Sequence, residues 1–89
     1  MKNKMDLYTE LLTYLNSSEL DFDQDDKNFQ VMVQSLYDCD KVVTMEIYKD
    51  VFLGGYITYN DYDNSAEYSN VGCPEFVDVE DAVEWLVSA

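Results

Sequence analysis

The chain contains no histidine and no arginine. Without histidine, no side chain has an ordinary pKa near neutrality, where acid–base catalysis at physiological pH usually operates. Without arginine, there is no planar fork to grip a phosphate or carboxylate at two points. Cysteine is scarce too. Cys39 and Cys73 lie 34 residues apart, and neither belongs to a CxxC pair, which argues against a zinc site and against a secreted disulfide scaffold. No apolar run approaches the roughly 18–20 residues of a membrane helix. The opening MKNKMDLYTELL is basic but lacks the apolar stretch of a signal peptide. Together these absences predict a cytoplasmic protein with reduced thiols, no cofactor, no metal and no enzymatic role.

Positive charge is the other shortage. Five lysines face nineteen Asp and Glu, for a formal charge of −14. Lys49 is the last base, and nine carboxylates follow it between Asp50 and Ala89. Self-repulsion of this size keeps a protein soluble and monomeric and works against its compact state. It excludes direct binding to nucleic acid or to an anionic membrane, and leaves basic protein surfaces as the expected partners. What is present argues for a folded chain. Hydrophobic residues make up 47% and eight tyrosines are spread along the sequence, too apolar for a disordered acidic tail. Eighty-nine residues predict one domain, 1–89, with a single small core.

The periodicity gives an order of elements. Leu7, Tyr8, Leu11, Leu12 and Leu15 recur at helical spacing, with Asp6 as N-cap or first-turn acid and Asn16-Ser17-Ser18 as the stop. Glu19 to Lys27 is expected to be an acidic loop anchored by Leu20 and Phe22. Phe29 to Tyr37 alternates as a strand, with Val31 and Val33 on one face. A turn at Asp38-Cys39-Asp40 leads to a second strand, in which Val43, Met45 and Ile47 face inward and Val42, Thr44, Glu46 and Tyr48 outward. Lys49-Asp50 is a tight turn without the usual Asn-Gly signal. Phe52 to Tyr59 is a third strand, and its Gly54-Gly55 pair is expected to let a helix pack flat on the sheet. Asn60 to Asn64 is a turn and Ser65 to Val71 a short polar edge strand. Asp78 then caps a helix with Val79, Ala82, Val83, Leu86 and Val87 on its apolar stripe and Trp85 at its flank. The prediction is an α+β fold: an N-terminal helix, a three- to four-stranded antiparallel sheet and a C-terminal helix, with both helices on one sheet face.

The acidic loops do not satisfy the chemistry they invite. Asp21, Asp23 and Asp25 match the first three ligand positions of an EF-hand loop, but Asp26 stands where glycine is needed and Met32 where glutamate is needed. A loop starting at Asp61 puts Ala66 and Gly72 at those two positions. Asp61, Asp63 and Glu67 could supply a carboxylate pair, but wet, polar backbone would not separate their pKa values. Neither cysteine has an activating neighbour in the sequence.

What remains is an array of carboxylates and tyrosines. Alternate strand residues lie about 6.6–6.8 Å apart on one face, of the same order as successive phosphates. Such an array could occupy the lysine and arginine positions of a nucleic-acid groove, driven by counterion release, with tyrosines adding apolar contact. The expected contact residues are Asp61, Tyr62, Asp63, Glu67, Tyr59, Tyr68, Tyr48, Asp23, Asp25 and Asp26. In size, charge and α–strands–α layout the chain resembles phage-encoded anti-CRISPR proteins and other DNA-mimic inhibitors, a resemblance of character and not of motif. It implies an inhibitor that occupies the basic DNA- or RNA-binding groove of a CRISPR effector or another defence nuclease. Two alternatives share the same electrostatics: an immunity protein or antitoxin that neutralises a basic partner, and a domain whose charge serves only solubility.

Overall fold

The computed structural model describes residues 3–18, 20–60 and 62–89. Helix α1, Lys4–Ser17, is held at its start by a reciprocal cap. The Asp6 N–H donates to Asn3 Oδ1 at 2.9 Å, and the Asn3 N–H donates to Asp6 Oδ2 at 3.4 Å. Asn3 is therefore the cap and Asp6 the first-turn acid, where the helix dipole favours negative charge. The Ser17 and Ser18 hydroxyls both donate to the Tyr14 carbonyl and close the last turn. Helix α2, Val79–Ser88, begins after Asp78, which has the extended backbone of a cap but whose side chain makes no capping hydrogen bond.

Between the helices runs an antiparallel sheet in the order β1 (Asp23–Asp25), β2 (Gln30–Gln34), β3 (Lys41–Tyr48), β4 (Val51–Asn60) and β5 (Ser65–Ser69), with β6 (Glu75–Phe76) pairing the start of β4. The expected strands are all present. Two further short segments add to them: Asp23–Asp25 pairs Gln30–Met32, and Glu75–Phe76 pairs Phe52–Leu53. The acidic segment is thus partly a strand and not wholly a loop. Tyr48 pairs Val51, so Lys49-Asp50 is a two-residue turn. Lys49 adopts φ 57° there, a left-handed conformation usually given to glycine.

Both helices lie on one face. Val31, Val33, Val43, Met45, Ile47 and Phe52 from the sheet meet Leu7, Tyr8, Leu11 and Leu15 of α1 and Ala82, Val83 and Leu86 of α2 in one buried cluster. Each large side chain there contributes on the order of 1.5–3 kcal/mol by leaving water. Strand alternation places the next residues, Val42, Thr44, Glu46 and Tyr48, on the face away from the helices. The molecule is elongated, 45 × 26 × 23 Å. No helix among the described residues is long and apolar enough to cross a membrane.

Candidate partner-binding surface

The sheet face away from the helices is built from alternate residues of five strands. Register places Asp23 and Asp25 of β1 opposite Met32 and Gln30, Tyr48 of β3 opposite Val51, and Tyr68 of β5 opposite Ile57. Tyr59 follows Ile57 two residues along β4. Five of the expected contact residues, Asp23, Asp25, Tyr48, Tyr59 and Tyr68, therefore share this uncovered face. The three tyrosines keep between 42% and 49% of their surface. In a strand Asp23 and Asp25 stand in a row rather than around a point, so the loop that resembled a calcium site does not converge.

The remaining expected residues are dispersed. Glu67 opposes Thr58 and so alternates to the other face, beyond the helices, where it is exposed. Tyr62 is fully exposed at the β4–β5 tip, next to Asp63. Asp63 Oδ1 accepts the Ser65 N–H at 3.0 Å, and the Ser65 hydroxyl and N–H hold its carboxyl below the usual aspartate value. Asp26 is bound up in the fold: it accepts the Tyr8 hydroxyl at 2.7 Å and the Gln24 amide at 2.9 Å. These two bonds, Tyr8 first, lower its pKa. Asp61, and Glu19 at the head of the first acidic cluster, lie outside the described residues.

One expectation is overturned in its consequence. Thr44 points outward as its register requires, but it is fully buried. The cause is Tyr68. Its ring lies over Gly55, where a Cβ would come within 2.9 Å of Tyr68 Cε2 and 2.8 Å of Thr44 Oγ1. The Tyr68 hydroxyl donates to Glu46 Oε1 at 2.8 Å. Burial first, then this carboxylate, push the Tyr68 pKa up to about 12. The Thr44 hydroxyl beside it acts in the opposite direction but makes no hydrogen bond of good geometry. Gly55 thus admits a tyrosine from β5, whereas Gly54 admits the α2 residue Trp85, whose Cζ3 lies 2.7 Å from the position of a Cβ.

Glu46, expected to face outward, Glu75, at the head of the acidic stretch Glu75 to Glu84, and Leu53 were not among the expected contact residues. With Tyr48, Asn70 and Cys73 they line a cleft of about 550 Å³ on the uncovered face. Pairing to a two-residue strand brings Glu75 there, and two residues are too few to show a period. Leu36 and Tyr37 were also missed; they are 74% and 80% exposed on the β2–β3 turn. Both were expected within the strand Phe29 to Tyr37, but β2 ends at Gln34 and leaves them outside it. Those three turn residues are the one group among the described residues whose ligand atoms gather closely enough for a metal, and all three are exposed. Cys73 is half-buried, and burial pushes its thiol above the ordinary value while Lys41 opposes this. No family model, curated protein or solved structure matches the chain.

Proposed function

We propose that the protein is a nucleic-acid mimic that acts in the bacterial cytoplasm, occupying the basic groove of a DNA- or RNA-binding defence nuclease complex. One observation carries the reading: from Asp50 to Ala89, the segment that forms β4, β5, β6 and α2, the chain holds nine carboxylates and no base. The 45 Å length would span about 26 phosphates of duplex DNA at one charge per roughly 1.7 Å. The net charge of −14 over that length is about half the density of DNA, enough to compete for a groove evolved to hold phosphates. Exposed tyrosines along the same surface supply contact area that charge alone lacks.

The test is displacement. Expressed beside CRISPR or restriction systems of known type, the chain should restore phage plaquing against at least one. The purified effector from that system should then lose its DNA in a gel shift when the chain is added. Excess duplex should reverse the effect, and raising salt from 50 to 200 mM should weaken the chain's hold by about tenfold or more. Replacing Asp63 and Glu67 by Asn and Gln should lower potency without changing the fold. A ternary complex of effector, chain and DNA would overturn the reading. Neutralisation of a basic toxin, indifferent to added DNA, would replace it with the immunity-protein reading.

A further inference from the structure

The cleft on the uncovered face has an ordered construction. Glu46 of β3 pairs Leu53 of β4, and Leu53 pairs Glu75 of β6. Neighbouring strands lie about 4.8 Å apart, so two carboxylate-bearing residues flank one apolar residue across three strands. Leu53 is 9% exposed and forms the floor. Tyr48, two residues beyond Glu46 and on the same face, supplies an aromatic wall. Glu46 gives one oxygen to the Tyr68 hydroxyl and keeps acceptor capacity on the other. Among the described residues the Glu75 side chain has no hydrogen-bond or ion-pair partner. A second, independent sign points to the ligand. The chain's own Lys49 ammonium stands 5.4 Å from the centre of the Tyr48 ring, so the ring that walls the cleft already attracts a cation.

We propose that the cleft takes the guanidinium group of an arginine side chain presented by the partner protein. A guanidinium is planar and weakly hydrated on its faces, so it can lie over Leu53 and against the Tyr48 ring while its edge donors reach both carboxylates. An ammonium is a compact, strongly hydrated point charge and cannot meet both glutamates and the apolar floor together. The lining contains no base, and Lys49 competes for the Tyr48 ring. The identity of the partner rests on the mimic reading, because nucleic-acid grooves are rich in arginine; the chemistry of the cleft does not.

The experiment uses the whole chain and two blocked tripeptides, Gly-Arg-Gly and Gly-Lys-Gly, titrated at low salt and followed by backbone amide shifts. The arginine peptide should perturb Glu46, Tyr48, Leu53 and Glu75 and bind several-fold more tightly than the lysine peptide. Glu75→Gln should weaken it several-fold. Lys49→Ala should strengthen it, by removing the resident cation, and Glu84→Gln on α2, across the sheet, should leave it unchanged. Equal binding of the two peptides, or shifts spread over every acidic segment, would overturn the proposal, as would weaker binding in the Lys49 variant. The two readings fail separately. A cleft that selects arginine in a chain that displaces no DNA leaves the cleft and removes the mimic. A chain that displaces DNA with an indifferent cleft does the reverse.

Discussion

Gly54 and Gly55 are neighbours in β4 and perform the same service on opposite faces. Each lacks a side chain so that an aromatic ring can lie on the sheet. At Gly54 the ring is Trp85, tilted against Tyr56 and Phe76 with centroids 5.7 and 6.1 Å away, and its helix is anchored by Ala82, Val83 and Leu86. At Gly55 the ring is Tyr68, from a strand whose five residues are all exposed. One contact is part of a core made by burial on every side. The other is a clasp of one ring and one hydrogen bond, added to the ladder that pairs β5 with β4, and it lies on a face that is otherwise open. The core is thus confined to one face of the sheet, and the other face is left largely open.

Substituting the two glycines tests that division most severely. In Gly54→Ala the new Cβ falls 2.7 and 2.8 Å from two Trp85 ring atoms. That ring packs against Tyr56 and Phe76, so α2 must move, at a cost of about 1–3 kcal/mol readable by denaturant titration. Gly55→Ala meets atoms just as close, but Tyr68 can swing into solvent. Its loss is expected to be under about 1 kcal/mol, partly offset by the smaller entropy of the unfolded chain. Amide exchange should quicken in β5 and stay slow in α2. Equal losses, or quickened exchange across the whole sheet, would show that the two faces form one cooperative unit.

A smaller contrast uses two tyrosines that each donate to a carboxylate. Tyr8, 3% exposed, donates to Asp26 at 2.7 Å on the covered side. Tyr68, 42% exposed, donates to Glu46 at 2.8 Å on the other. Tyr8→Phe and Tyr68→Phe are each expected to cost about 0.5–1.5 kcal/mol, because water can reach the carboxylate left behind in both, Asp26 being exposed and Glu46 half-buried. The Tyr68 variant should in addition show an effect in the cleft, where Glu46 is freed to turn towards a bound guanidinium. Thermal melts of both variants, with the arginine-peptide titration of the second, test this.

This division also marks how far the sequence could be read. Leu7, Leu11 and Leu15, the Val43, Met45 and Ile47 alternation, and Val83 with Leu86 follow the periods of helix and strand, and each lies buried where its period put it. A period reports which residues share a face. It does not report what a second element lays over the opposite face. Thr44 was therefore expected in solvent, although Tyr68, 24 residues later in the chain, covers it. The glycine pair showed the same limit: a helix residue accounts for Gly54 but not for Gly55. Five of the expected contact residues do share a face, since alternation is a local rule. The cleft beside them was not legible, because Glu46, Leu53 and Glu75 meet only through pairing of three strands.

Alkaline titration carries the comparison to its smallest effect. The Tyr68 pKa is raised from 10.0 to about 12, and burial and Asp26 raise that of Tyr8 further. Below pH 10 both the folded and unfolded chains keep these protons, and the stabilisation is complete. As pH rises past 10 the unfolded chain releases protons that the folded chain retains, so stability falls from there through about pH 12. Tyr68 should ionise first, while the protein is still folded. Solvent screening keeps the energetic consequence small at so exposed a site, but the local consequence is specific. A phenolate beside Glu46 cannot donate and is repelled, so the ring should leave Gly55 and loosen β5, which keeps its ladder to β4. Tyrosinate absorbance should show a step near pH 12 that Tyr68→Phe removes and Tyr8→Phe keeps, accompanied by faster β5 exchange with α2 still protected. Loss of both tyrosine protons in one transition would mean that the clasp opens only when the core does.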